Sequence, residues 1–156
     1  MEVFDISGQI ISPLAGKSLY VAGDSIAYGK SSAGGYGKCI ADKYGMTLTN
    51  EAVDGATLAP NIPDNVYGGI RACISTVVTN STALANADYI LLEGGVNDAW
   101  SNAPVGTLTD GFASTYDETT MTGSLEKMLK FLAKNHSDKR VAYVFPHGGL
   151  FGSSEN

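Results

Sequence analysis

Residues 18–32 read SLYVAGDSIAYGKSS, and the way this stretch changes character decides the fold. A short run of strand formers, Leu19, Tyr20 and Val21, stops at Gly23, Asp24 and Ser25, with Gly29, Lys30 and Ser31 close behind. A strand that runs into a glycine-containing turn is where α/β proteins place much of their chemistry. Two chemistries fit these residues. Either Ser25 is a nucleophile exposed on the turn, or Gly23 to Ser31 is a loop that cradles phosphate.

Working outward, the same alternation repeats. The loop to Gly35 leads into a helix carrying Tyr36, Cys39, Ile40 and Tyr44 on one stripe, ended by Gly45. Met46 to Val53 predicts a second strand that stops at Asp54 and Gly55. Residues 67–79 predict a second helix with Ile70, Cys73, Ile74 and Val77 on one face. The run DYILLE, residues 88–93, is apolar almost throughout, which suits a central parallel strand covered on both sides; it ends at GGVNDAW. A polar loop from Ser101 to about Met121 carries Phe112 and Tyr116, with Trp100 at its start. Leu125, Met128, Leu129 and Leu132 mark a third helix, and RVAYVF, residues 140–145, is a fourth strand closed by Pro146. Strands alternating with helices mean right-handed crossovers between parallel strands. The fold class is therefore α/β, a three-layer α/β/α sandwich with a parallel, flavodoxin-like sheet. Residues 1–17 form a lead-in segment and 18–156 the domain. Such a domain calls for one more edge strand and covering helix after the fourth strand, so it reads as incomplete at its C-terminus.

With 156 residues, 44% hydrophobic and 17% charged, the chain suits one domain with its own core. A net charge of −6 argues against a nucleic-acid surface, which needs a basic patch. No run is long enough to span a bilayer. MEVFDISGQI lacks the basic start and apolar core of a signal peptide, which favours the cytoplasm. Cys39 and Cys73 stand alone, without CxxC spacing, and read as thiols packed on buried helix faces. His136 and His147 have no metal-ligand spacing, so neither a metal nor another cofactor is expected. The expected partner is a small molecule; the sequence carries no signal for an oligomeric state.

The phosphate loop fits poorly. A P-loop reads G-x-x-x-x-G-K-[ST] with the helix opening at its Gly-Lys. Here five residues separate Gly23 from Gly29, and SSAGG after Lys30 opens a helix badly, because glycine costs about 1 kcal/mol against alanine. ILLE at 90–93 does mimic the acidic strand of such ATPases. The nucleophile fits better. A serine hydroxyl attacks an ester when a base takes its proton and N–H donors hold the oxyanion. Ser25, Gly55 and Asn97 each follow a strand, and parallel strands end at one edge of a sheet. Glycine at 55 lets a backbone N–H approach substrate without a Cβ in the way, and the Asn97 amide is a further donor. Singly, Gly-Asp-Ser and Asp-Gly are common turns and Asn-Asp a common cap. In order, each directly after a strand, they are far more specific.

With these blocks in place the sequence resembles the GDSL-type, or SGNH, hydrolase superfamily. GDSI at 23–26 matches its first block, AVDGATLA around Gly55 its second and GVND at 95–98 its third, and the likeness extends over nearly all of residues 18–146. The resemblance implies a serine esterase with an open site acting on small acyl, acetyl-like esters, carbohydrate esters among them. Ser25 would be the nucleophile, and Ser25, Gly55 and Asn97 would form the oxyanion hole. Asp24 and Asp98 would stabilise turns, and Lys30, Tyr28, Trp100 and Tyr116 would lie on the substrate side.

One block is missing. The family's Asp-x-x-His, which supplies the base and its orienting carboxylate, has no counterpart here: Ala133 stands three before His136 and Val144 three before His147. His136 is expected at a solvated helix terminus. His147 follows the fourth strand on the catalytic edge, where it would line the pocket or stand in as base. The plainer account is that the block lies beyond Asn156. Without its base such a triad loses roughly 10⁴ to 10⁶ in kcat, so this chain as written is expected to be a weak esterase. The runner-up is a binding or structural module of the same fold without catalysis; nucleotide binding comes third.

Overall fold

Alternation along one strand builds both sides of the core. In β3 (Ser18–Ala22), Leu19 and Val21 point to one face of the sheet and Tyr20 and Ala22 to the other, all buried. The computed structural model describes residues 3–4, 10–109 and 115–145. Around β3 lie β4 (Thr47–Asn50), β5 (Tyr89–Glu93) and β6 (Arg140–Val144), all parallel, in the order β4-β3-β5-β6. Tyr20 lies opposite Ile90, which lies opposite Val141. Two further strands, β1 (Val3–Phe4) and β2 (Ile10–Ile11), pair antiparallel outside this sheet.

Helices cover both faces. On one side α1 (Ser25–Tyr28) and α2 (Gly35–Tyr44) lie over Leu19 and Val21, with Ala27 and Ala52 buried beside them. On the other, α3 (Ile74–Asn80) and α5 (Met121–Asn135) bring Ile74, Val78, Met128 and Leu132 against Tyr20, Ile90 and Leu92. Fully burying side chains of this size contributes about 1.5–3 kcal/mol each. The expected three-layer α/β/α architecture and the central place of DYILLE are both present. Between β5 and α5 runs α4 (Val96–Trp100), which opens directly after Gly95.

Three local expectations are corrected. The second helix does not begin at residue 67. Ile70 bridges Pro63 and Cys73 bridges Thr57, with Ile74 N–H donating to the Thr57 carbonyl at 2.9 Å, so 70–73 is extended backbone and the helix starts at Ile74. An extended residue has no helical i→i+4 bond to make. The helical spacing of Ile70, Cys73 and Ile74 was coincidental, and Ile70 is exposed. The second strand is shorter than expected and stops at Asn50, whose side chain turns back to bond Ala27 O and Ala52 N–H at 3.0 Å each. Cys39 is exposed, because α2 packs through Gly37 and Ala41. A Cβ on Gly37 would lie 2.8 Å from Val21 Cγ2, so the helix sits on its smallest residues. Residues 30–34 form turns, not the helix start that a P-loop needs after its Gly-Lys.

Candidate active site

Four turns meet at the C-terminal edge of the sheet: those following β3, β4 and β5 and the segment 54–59. Each is pinned by a side chain or backbone group from another. The Gly23 carbonyl accepts Val53 N–H at 2.9 Å, joining the Ser25 turn to the segment that leads to Gly55. Lys30 pairs with Asp54 across the same gap and lies 5.7 Å from the centre of the Tyr67 ring. Asn97, at the start of α4, donates Nδ2–H to the Ala56 carbonyl at 2.9 Å and is buried. Asp98 beside it accepts the N–H groups of Leu58 and Ala59, both at 2.8 Å. Gly55 is thus held between the Ser25 turn and α4. Its φ of +76° is the left-handed conformation that glycine adopts without penalty, and its carbonyl accepts Arg71 Nη1–H at 2.9 Å.

Ser25 opens α1, a single turn. Asp24 caps it, its Oδ1 accepting Ile26 N–H at 2.9 Å, and Gly29 closes it in left-handed conformation. The serine lines a concavity of about 330 Å³ shared with Ile26, Gly29, Lys30, Ser31 and Ser32. Beneath it lies a residue whose part the sequence hid. Glu93, last in β5, accepts Asp24 N–H on Oε2 at 3.1 Å, which brings its carboxyl beside that of Asp24. Both are shut off from solvent. Burial pushes the Glu93 carboxyl up to about 8, and the neighbouring Asp24 charge adds to the push. Burial raises Asp24 too, against the pull of Ile26 N–H. It also raises Asp98, whose two backbone donors pull the other way. Gly23 is small for the same reason, since a Cβ there would lie 2.8 Å from Glu93 Oε2.

The remaining candidates are spread more widely. Tyr28 and Trp100 are exposed, each one helical turn beyond Ser25 and Asn97 respectively. Tyr116 is half-buried, with Lys130 Nζ 5.6 Å from its ring centre. His136 caps the C-terminus of α5 against Phe131, at the opposite edge of the sheet from Ser25. His147, like Phe112 and Pro146, lies outside the described residues. Glu93 did carry a signal: an acidic residue ending a buried apolar strand, beside a strand that ends in Gly-Asp. Arg71 carried none.

Comparison with known proteins agrees with this arrangement of strands. A family model described as GDSL-like Lipase/Acylhydrolase matches residues 36–148, which takes in Gly55, Asn97 and Asp98 and begins after Ser25. Among solved structures, a protein from Lactobacillus plantarum is similar, with TM-score 0.66 and 22% identity, over 85% of this chain and 57% of that one. A candidate GDSL-like lipase from Bacteroides ovatus aligns with TM-score 0.66 and 17% identity, over 86% and 74% of the two chains. A carbohydrate esterase family 2 enzyme with a carbohydrate-binding domain, from Corynascus thermopiles, aligns with TM-score 0.56 and 17% identity, over 89% of this chain and 48% of its own. The chain thus spans little more than half the length of the first of these. Comparison with curated proteins finds no match. No helix among the described residues is long and apolar enough to cross a membrane. With its parallel sheet and with the second and third blocks inside the matched span, the chain belongs to the GDSL-like lipase/acylhydrolase family.

Proposed function

We propose that the protein is a serine ester hydrolase in which Ser25 attacks the acyl carbon, while Ser25 N–H, Gly55 N–H and Asn97 Nδ2–H stabilise the oxyanion. The observation that carries this is the Asn97–Ala56 bond. It uses one of the two Nδ2 hydrogens and fixes the carboxamide beside Gly55, leaving the second hydrogen to donate toward substrate. The Ser25 amide heads α1, where a helix offers N–H groups with no intrahelical acceptor. Donors preset in this way stabilise charge that develops only in the transition state. The proposed substrate is a small acyl ester, acetyl-like, of a carbohydrate. Supporting that alcohol are Tyr28 and Trp100, exposed aromatic rings on the two short helices that carry Ser25 and Asn97. Such rings pack against the apolar faces of sugars.

Among the described residues the one histidine, His136, stands at the wrong edge of the sheet. A fluorophosphonate probe followed by peptide mass analysis tests the nucleophile. An adduct on Ser25, lost in Ser25→Ala, supports the hydrolase. Turnover of a chromogenic acetyl ester that is unchanged by Ser25→Ala overturns it. Silence of Ser25 in both assays favours the alternative, a module of the same fold that binds without catalysis.

A further inference from the structure

Two acids lie sealed beneath the Ser25 turn, and the hydrolase mechanism above makes no use of one of them. Asp24 is 0% exposed and Glu93 1%, and Asp24 N–H donates to Glu93 Oε2 at 3.1 Å, which sets the two carboxyls side by side. Asp24 Oδ2 and Glu93 Oε1 are buried with no donor among the described residues. Two carboxylates accept only, so a buried pair this short of donors is satisfied when one keeps its proton and donates to the other. Two full charges in such contact, out of water, repel by far more than one protonation costs.

Among the described residues no positive charge relieves them. The titratable groups that face the pair are Tyr36 from α2, Tyr143 from β6, Asp98 from α4 and Asp54 from the 54–59 segment, all neutral or acidic. Lys30, the nearest cation by chain, is engaged with Asp54 at the surface. Asp24 has use for its charge, since Oδ1 caps α1 through Ile26 N–H. Glu93 meets the backbone N–H groups of Asp24 and Ala27, which favour its ionised form, but burial and the Asp24 charge outweigh them.

We infer that Glu93 is a positioning residue: its neutral carboxyl donates a proton to the Asp24 carboxylate and so locks the one-turn helix that presents Ser25. Asp24 is then held at both ends, by Ile26 N–H on one oxygen and by the Glu93 O–H on the other. Loss of that shared proton at high pH puts two charges in contact and loosens the cap. The consequence for catalysis rests on Ser25 being the nucleophile; the shared proton does not.

Carbon-13 NMR of glutamate side chains and amide hydrogen exchange test it on the whole chain, in wild type, Glu93→Gln and Glu93→Ala. One glutamate carboxyl should titrate near 8, and its signal should vanish in Glu93→Gln. The protection factor of Ile26 N–H, corrected for intrinsic exchange, should fall in wild type as pH rises through that value. In Glu93→Gln it should stay near the wild-type neutral value at every pH, because an amide donates without titrating. Glu93→Ala should lose about tenfold or more at all pH values. In ester hydrolysis the alkaline limb of kcat should disappear in Glu93→Gln, with KM little changed. A full set of glutamates titrating below 6 overturns the proposal, as does a Glu93→Gln turn no better protected than Glu93→Ala. If Glu93→Ala does not fold, the titration and the Glu93→Gln profile still decide. Should the NMR results hold while Ser25→Ala keeps full hydrolysis, the hydrolase falls and the positioning role stands.

Discussion

Replacing Asp98 by alanine takes the acceptor from two backbone N–H groups at once, those of Leu58 and Ala59, each 2.8 Å from a carboxylate oxygen. Asp98 is fully buried, so water does not readily take over either bond. Hydrogen bonds to a charged acceptor are worth about 1.5–3 kcal/mol net, and an orphaned buried donor costs about 1–3 kcal/mol. Against this stands the relief of no longer burying a carboxylate, so the expected net loss is about 3–5 kcal/mol. Asp98→Asn keeps one acceptor but turns an N–H₂ toward the second amide, and should cost about 2 kcal/mol. Domains of this kind hold only about 5–15 kcal/mol in all, so the alanine variant sits near the threshold of folding. Urea denaturation measures both. With a slope of about 2 kcal/mol per molar, the midpoint should drop by about 2 M for alanine and about 1 M for asparagine. Leu58 and Ala59 follow Gly55 closely in the chain, so fluorophosphonate labelling of Ser25 should slow as well. Midpoints within about 0.3 M of wild type, or asparagine worse than alanine, would refute the claim that these two bonds anchor the segment.

Asn97→Ala should lower the rate of Ser25 labelling and of acetyl-ester turnover by about 10²–10³ with little change in KM; a loss under about threefold would remove Asn97 from the oxyanion hole. Gly55→Ala puts a Cβ into a left-handed residue and 2.9 Å from Arg71 Nη1. It should cost about 1–2 kcal/mol in urea unfolding, and no loss would mean that the turn relaxes freely. Glu93→Gln should raise stability at neutral pH. The folded-state value of Glu93 lies above its ordinary 4.5, at about 8, so wild type is most stable below 4.5 and loses ground as pH rises toward 8. Glutamine has no proton to keep, so its advantage should be near zero at pH 4 and on the order of 2–3 kcal/mol at pH 7, read from thermal or urea midpoints. An advantage that does not grow with pH would contradict the buried proton.

Residues that act through their own neighbours were the easier ones to read. The GDSI turn, the apolar run of β5 and the helical stripe of α5 announce themselves by local pattern, and each lies where that pattern puts it. The errors came where a distant segment outbid the local signal. Ile70 and Cys73 keep helical spacing with Ile74, yet 57–63 claims their backbone. Cys39 sits on an apolar stripe, yet α2 is drawn in by Gly37 and Ala41, and counting hydrophobic residues gives no weight to closeness. Glu93 looked like an acid ending a strand, and its meaning depends on Asp24, sixty-nine positions away.

That last case shows how buried polar side chains can make an open turn rigid. A loop tip has little apolar surface of its own, so its conformation is cheap to change. Here each tip is fixed by a polar side chain rooted elsewhere: Glu93 holds Asp24, Asn50 holds Ala27, Asn97 holds Ala56 and Asp98 holds Leu58 and Ala59. The roots are stiff, since all four sit at the end of a strand or in the buried first turn of α4. Any one tip can move only by breaking a bond that water is poorly placed to replace. A positional error at Ser25 of even 1 Å would be costly for acyl transfer. The anchors therefore fall at the edge where the strands end, and the polar burial they require is concentrated around the proposed nucleophile rather than spread through the core.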